Sequence, residues 1–429
     1  MVQKKKFFKL FIICTLFVFI NNCTNQDKAP GPPYTAEVLQ MNSMTSTQKR
    51  SEAPTFKFDK ATFTWLQDLN SLNGNYFNFV FGGILKASYV SGSIVSAKSF
   101  EQSKDLNLRY NVKNGVVVPK DYSTLAMLSS YYQFDVVANN IQTMTGYSMD
   151  SIFSKYGKIR IFFEPKIILE SDGSTIQSSG KLNAAYVPGA HQFIMFQRSN
   201  LENIPLAANL QVIAHEFGHS IWELAFDNGS TPDCDRLNQE YVIRGLNEGF
   251  ADMNSYTLTG STNILQNSID FGNGGTQRNF STITFTYDNI TGGVADSSNS
   301  TCEQSFYCIG TLFANALFNA QKNLGYDQTS LSGSLARGAF MTLVTNAIKT
   351  TKSNMSNLPS SSLIKFYDYC KPSPGDSNNS DYNGLILGSF FNSFLTQIGS
   401  GATQTQICTQ LKANFGSVGF PSTYRVGCT

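Results

Sequence analysis

Between residues 210 and 225 the apolar positions recur every three or four residues, in Leu-Gln-Val-Ile-Ala-His-Glu-Phe-Gly-His-Ser-Ile-Trp-Glu-Leu-Ala. That spacing predicts a helix. The same period predicts helices over 124–145, 244–256, 307–323, 335–350, 360–369, 385–398 and 403–415, with a short one at 62–69. Alternation takes over at 77–81, 84–90, 158–164, 183–187 and 192–197, which read as strands. The last two join at Pro188-Gly189-Ala190-His191, a turn that puts His191 at an exposed hairpin tip. Asn114-Gly115 between apolar runs is a hairpin signal. The Ser- and Gly-rich 171–180 reads as a loop, 227–241 as a polar excursion, and 257–300 as long loops. Strands therefore dominate early and helices late. Residues 56–115 form a β-rich leading segment that either completes a sheet of the next unit or stands as a small module.

The two ends of the chain differ in composition. Residues 1–22 join Met-Val-Gln-Lys-Lys-Lys to a short apolar run, a signal peptide pattern too short to span a bilayer comfortably. The run ends at Phe19-Ile20-Asn21-Asn22-Cys23, which resembles the lipobox of bacterial lipoproteins, with Asn22 where a smaller residue is usual. The resemblance implies lipidation of Cys23 and attachment to an outer membrane or cell surface; a plain secreted or periplasmic protein is the alternative. Residues 23–55, rich in Pro, Ser, Thr, Asn and Gln, read as a flexible tether. Formal net charge is +2, and losing Lys4, Lys5, Lys6 and Lys9 with the leader takes four from it to leave −2. No basic stripe for nucleic acid is present. Beyond Cys14 and Cys23 there are six cysteines, at 234, 302, 308, 370, 408 and 428, an even number that suits disulfides in an exported chain.

The chemistry sits in the helix at 210–225. Two histidines four apart, His215 and His219, project from one helical face and can share a tetrahedral zinc ion. Glu216 can address a water in the open coordination position. Only three histidines occur in 429 residues, so this placement is informative. A third ligand is needed, and with no other histidine nearby it should be a carboxylate. Glu248 and Asp252, four apart on the helix at 244–256, supply one: Glu248 as ligand, with Asp252 accepting the spare ring N–H of a bound histidine.

His215-Glu216-x-x-His219 followed by Asn247-Glu248-Gly-Phe-Ala-Asp252 resembles the gluzincin metallopeptidases, specifically the thermolysin-like and fungalysin-like families. The resemblance covers roughly the last three hundred residues. It implies an α+β, two-lobed fold: a mixed β-sheet plus helices in an N-terminal lobe (116–235), a mainly helical C-terminal lobe (236–429), and the zinc site between them. It also implies hydrolysis of polypeptide substrates with Glu216 as general base, and Asn247 and Asp252 behind the zinc histidines, Asp252 on His215. Asn183-Ala184 match the pair that bonds the substrate backbone on the strand before the zinc helix. The histidine those families use for the oxyanion is missing, and alignment puts Tyr307 in its place as a donor. A calcium ion, which relatives often carry, has one weak candidate loop at 376–381.

Three functions follow from these features. The first is an exported zinc metalloendopeptidase. The second is a surface-binding lipoprotein on the same scaffold with weak or lost activity, against which retention of Glu216 speaks. The third is an aminopeptidase, although the Gly-x-Met-x-Asn amine-binding motif of one such family is absent.

Overall fold

The structure, a computed structural model, describes residues 30–42, 55–90, 93–99, 105–171, 174–178, 184–187, 191–195, 204–226, 237–264, 279–283, 285–287, 305–326, 331–356 and 380–416. Within them lie strands β1 (Thr35–Met41), β2 (Phe56–Thr62), β3 (Leu66–Asp68), β4 (Asn73–Gly74), β5 (Phe77–Phe81), β6 (Ile84–Val90) and β7 (Ser93–Ser99). Next come β8 (Tyr110–Lys113), β9 (Val116–Pro119), α1 (Tyr122–Thr145), α2 (Met149–Tyr156), β10 (Ile159–Phe163), β11 (Lys166–Ser171), β12 (Ser174–Ser178), β13 (Ala184–Val187) and β14 (Gln192–Met195). From there on the major elements are helices: α3 (Leu210–Phe226), α4 (Leu237–Thr259), α5 (Ser305–Asn323), α6 (Leu331–Ser356), α7 (Ser380–Ile398) and α8 (Ala402–Phe415). The architecture is mixed sheet plus helices, as an α+β fold requires.

The sheet that matters for the site has the order β13-β14-β10-β5-β4-β3. β5, β10 and β14 run parallel, and β13 closes one edge antiparallel to β14. The leading segment therefore belongs to this sheet through β5 rather than forming a module of its own. At the Gly82-Gly83 step and at Glu164 the backbone turns through positive φ. The β5–β10 ladder bends there and continues as the parallel pair β6–β11 of a second sheet, ordered β12-β11-β6-β7. Within the stretch expected as a loop at 171–180, Ser171 and Ser174–Ser178 instead belong to the antiparallel pair β11–β12.

The third sheet, β2-β1-β9-β8, overturns the expectation of a tether reaching to residue 55. Thr35–Met41 is strand β1, with Ala36 and Val38 fully buried. β1 pairs with β2 along its whole length but with β9 only at Thr35 and Ala36. Leu39, beyond that short pairing, finds its partners on α1 instead. Its N–H donates to Ser129 Oγ at 2.9 Å, and its carbonyl accepts from Gln133 Nε2 at 2.9 Å. A short apolar run inside a polar segment is enough to make a strand when a helix supplies those missing partners.

The helix expected at 62–69 is also absent. Phe63, Leu66, Leu69 and Leu72 are all buried at three-residue intervals, which imitates a helical face. Their backbone goes elsewhere: the Phe63 N–H donates to the Tyr34 carbonyl, and the Thr64 and Trp65 N–H groups donate to the buried Asp135 carboxylate on α1. α1 itself is capped by the Asp121 side chain on the Thr124 N–H and ends at Gly146 in the left-handed region. α4 starts at Leu237, inside the stretch read as a polar excursion. The expected helix at 360–369 lies outside the described residues, as do residues 1–29, which include the leader and Cys23. So do 376–379 of the calcium loop; its last two residues begin α7. Cys308 and Cys408 are both buried, and each is separately in a disulfide. The other cysteines of the expected pairing lie outside the described residues.

Candidate metal centre

α3 and α4 cross at a glycine. A Cβ on Gly218 would sit 2.5 Å from Ala251 Cα, so only glycine allows the two helices to approach this closely. Side chains from α4 then reach the α3 backbone: Asn254 Nδ2 donates to the Ala214 carbonyl at 2.6 Å, and Ser255 Oγ to the Gln211 carbonyl at 2.9 Å. On its other side α4 packs as closely against α5. A Cβ on Gly249 would lie 2.3 Å from the Gly310 carbonyl oxygen, and one on Gly310 would lie 2.9 Å from Glu248 Cβ. Arg244 lies over the Phe306 ring at 3.8 Å. Glu248 is thus fixed between two glycine-lined crossings.

The outcome is a cluster of three donors. His215, His219 and Glu248 each offer one ligand atom, and these lie within 4.8 Å of one another. His215 Nε2 is 3.1 Å from His219 Nε2 and 3.4 Å from Glu248 Oε2, while His219 Nε2 is 3.8 Å from Glu248 Oε1. A tetrahedral ion with bonds near 2 Å spaces its donors by about 3.3 Å, so these separations fit one. Among the described residues this is the one such cluster.

The ring tautomers point the same way. His219 Nδ1 lies 2.9 Å from Asn247 Oδ1, and His215 Nδ1 lies 2.9 Å from Asp252 Oδ1. Each of these oxygens is an acceptor, so a proton on each Nδ1 would leave each Nε2 a lone pair facing the other. Burial, followed by the neighbouring His215, lowers the His219 pKa, with the Glu248 and Glu216 carboxylates and Asn247 opposing. Two lone pairs and a carboxylate at these distances repel one another unless a cation lies among them.

Glu216 is buried beside the cluster on the same helix. Its Oε2 accepts the Tyr186 N–H of edge strand β13 at 2.7 Å. Ala184 lies two residues earlier on that strand, buried, and Asn183 lies outside the described residues. Tyr307 occupies the first turn of α5, half-buried, with its ring 4.2 Å from that of Phe306 and one turn ahead of Gly310. The structure thus brings together His215, Glu216, His219, Asn247, Glu248 and Asp252.

Sequence reading missed a buried polar group joined to Glu216 through Tyr186. His191, expected at an exposed tip, is 4% exposed and stacks on Tyr156. It contacts the Tyr186 hydroxyl, which also donates to the buried Glu223. The available signal was Glu223 itself, seven residues after Glu216 and so on the same helical face.

Comparison with known proteins adds little at the level of sequence: no family model matches the chain, and no curated protein does. Among solved structures, the precursor of protealysin, a metalloproteinase from Serratia proteamaculans, superposes with a TM-score of 0.39 at 10% identity. The overlap covers 81% of this chain and 91% of that one.

Proposed function

We propose that the protein is a zinc-dependent metalloendopeptidase. The observation that carries this reading is the convergence of two Nε2 lone pairs and the Glu248 carboxylate at ion-sharing distances, with the Glu216 carboxylate beside them. The donor set of two imidazoles and one carboxylate leaves a fourth tetrahedral position open, the arrangement of catalytic rather than structural zinc sites.

His215, His219 and Glu248 would hold the ion, with Asp252 and Asn247 fixing the ring tautomers. When bound, zinc supplies a Lewis acid for a carbonyl and lowers the pKa of water toward about 7. Glu216 takes the proton of the attacking water and returns it to the leaving amine. The Tyr186 N–H holds one oxygen of that carboxylate and leaves the other for the proton.

Substrate recognition follows from β13 standing at the edge of its sheet. An extended polypeptide can add to such an edge through backbone hydrogen bonds, which favours unfolded or looped substrates. Asn183-Ala184 would make the first of those contacts. The Tyr307 phenol, entering on α5 next to the Glu248 crossing, would donate to the developing oxyanion. We further propose export on the strength of the Lys-rich apolar leader, with membrane attachment through Cys23. Among the described residues no helix is long and apolar enough to cross a membrane.

The test is casein hydrolysis by wild type and Glu216→Gln, with and without a zinc chelator. Wild type should cleave, lose activity on chelation and regain it with zinc. Glu216→Gln should bind zinc equally but cleave about 10²–10⁴ times more slowly. Zinc-loaded wild type that leaves casein intact would reduce the protein to a binding scaffold.

A further inference from the structure

Tyr186 is held at two points by one helix. Its backbone N–H donates to Glu216 Oε2 and its phenol donates to Glu223 Oε2, each at 2.7 Å. Those two carboxylates are seven residues apart on α3, roughly two turns or 10 Å along the axis. A single residue of the edge strand therefore spans from the proposed general base to a second buried acid. The phenol has one proton, and Glu223 receives it. His191 Nδ1, 3.0 Å from the same phenol oxygen, must then be the donor in that contact. Burial keeps the His191 ring neutral, with its pKa pushed down to about 3, so it has one N–H to give. The Tyr156 ring, stacked on it at 3.9 Å, fixes its plane.

Stability alone does not call for this trio. Apolar side chains at 186 and 223 would fill the same space without the cost of a buried carboxylate. What the trio adds is direction: it fixes the rotamer of Tyr186, and through it the register of β13 on α3.

We propose that Glu223, Tyr186 and His191 form a positioning unit that aims the Tyr186 N–H at Glu216 and so fixes the carboxylate that moves the proton. Its catalytic consequence rests on the peptidase reading above, whereas its geometry does not. Glu223 and His191 act through the Tyr186 phenol, and the unit acts on the proton transfer through Glu216.

The experiment uses the full-length zinc-loaded protein and two variants, Tyr186→Phe and Glu223→Gln. Amide hydrogen exchange at position 186 is read beside casein kinetics and zinc content. In Tyr186→Phe that amide should exchange at least about tenfold faster, and kcat should fall about 10–100-fold, the effect of a misplaced catalytic group. Bound zinc should not move. Glu223→Gln keeps an oxygen that accepts from the phenol, so it should retain both amide protection and kcat within about threefold. Unchanged protection at position 186 in Tyr186→Phe overturns the proposal, whatever the activity. If Tyr186→Phe does not fold, Glu223→Leu strips the phenol of its acceptor and carries the same test. Zinc-bound wild type that cleaves nothing would end the peptidase reading, leaving exchange to decide the positioning unit.

Discussion

At the level of single residues, the groups behind the metal ligands are the most exposed to test. Asp252 is buried and its Oδ1 faces His215 Nδ1 at 2.9 Å. Asp252→Ala would free that ring to adopt the other tautomer and to rotate. Zinc affinity, measured by chelator competition, should fall about 10–100-fold, the usual loss for such a partner. Tyr307 is a separate case, because its proposed role comes from alignment with a histidine that this chain lacks. Tyr307→Phe should slow casein turnover by about 10²–10³ with zinc content unchanged, the typical loss of one oxyanion donor. An unchanged rate would remove Tyr307 from the mechanism. How much of the site was legible in sequence follows the same division. His215, His219, Glu248 and Asp252 could be read because helical spacing puts them on faces that sequence alone defines. The trio of Tyr186, His191 and Glu223 could not, since a strand, a turn and a helix meet only after folding.

At the level of elements, the long helices and the alternating strands β5, β6, β10, β13 and β14 were legible, whereas β1, the β11–β12 pair and the non-helical path of 62–69 were not. A long apolar period survives packing, as α1, α3 and α5 show. Three-residue apolar spacing over 62–72 had two structural solutions, and tertiary partners hold the chain in the non-helical one: the Tyr34 carbonyl takes the Phe63 N–H, and the Asp135 carboxylate takes those of Thr64 and Trp65. The loss of the tether to β1 has a similar cause, since Ser129 and Gln133 complete hydrogen bonds that the sequence of β1 cannot advertise. The crossing of α3 and α4 was not visible either, although Gly218 lies within the metal motif. Mid-helix glycine normally costs about 1 kcal/mol relative to alanine, so Gly218→Ala would stabilise an isolated helix. Here the added Cβ would meet Ala251 Cα at 2.5 Å, inside contact distance of backbone. Overpacking of this kind costs about 1–3 kcal/mol, enough to reverse the sign. Chemical denaturation should show Gly218→Ala as less stable than wild type. Zinc affinity should fall as well, because the crossing sets the distance from His215 to Glu248.

For the whole molecule, two buried features make stability depend on solution conditions in different ways. Zinc would tie α3 to α4, so free zinc at about a thousand times its Kd should add about 4 kcal/mol to unfolding, lost on chelation. The second feature lies far along the chain from the metal ligands, at Asp135, where α1 meets the turn after β2. Its carboxyl is 1% exposed, and burial raises its pKa from 3.8 to about 6, with the Thr64 and Trp65 N–H groups opposing. A raised pKa means that the folded chain holds the proton more tightly than the unfolded chain does. The resulting stabilisation is complete below about pH 4 and disappears as pH rises through about 6. A shift of this size corresponds to about 3 kcal/mol, at 1.36 kcal/mol per pH unit. Asn at 135 can still accept both N–H groups but carries no charge at any pH. The melting temperature of Asp135→Asn relative to wild type should therefore climb between pH 4 and 6 and level off above that. Taking the difference between variant and wild type cancels the other carboxylates, whose titration is common to both. A difference that stayed flat, or fell, across that interval would mean that Asp135 is ionised in the folded protein and held there by its two backbone donors.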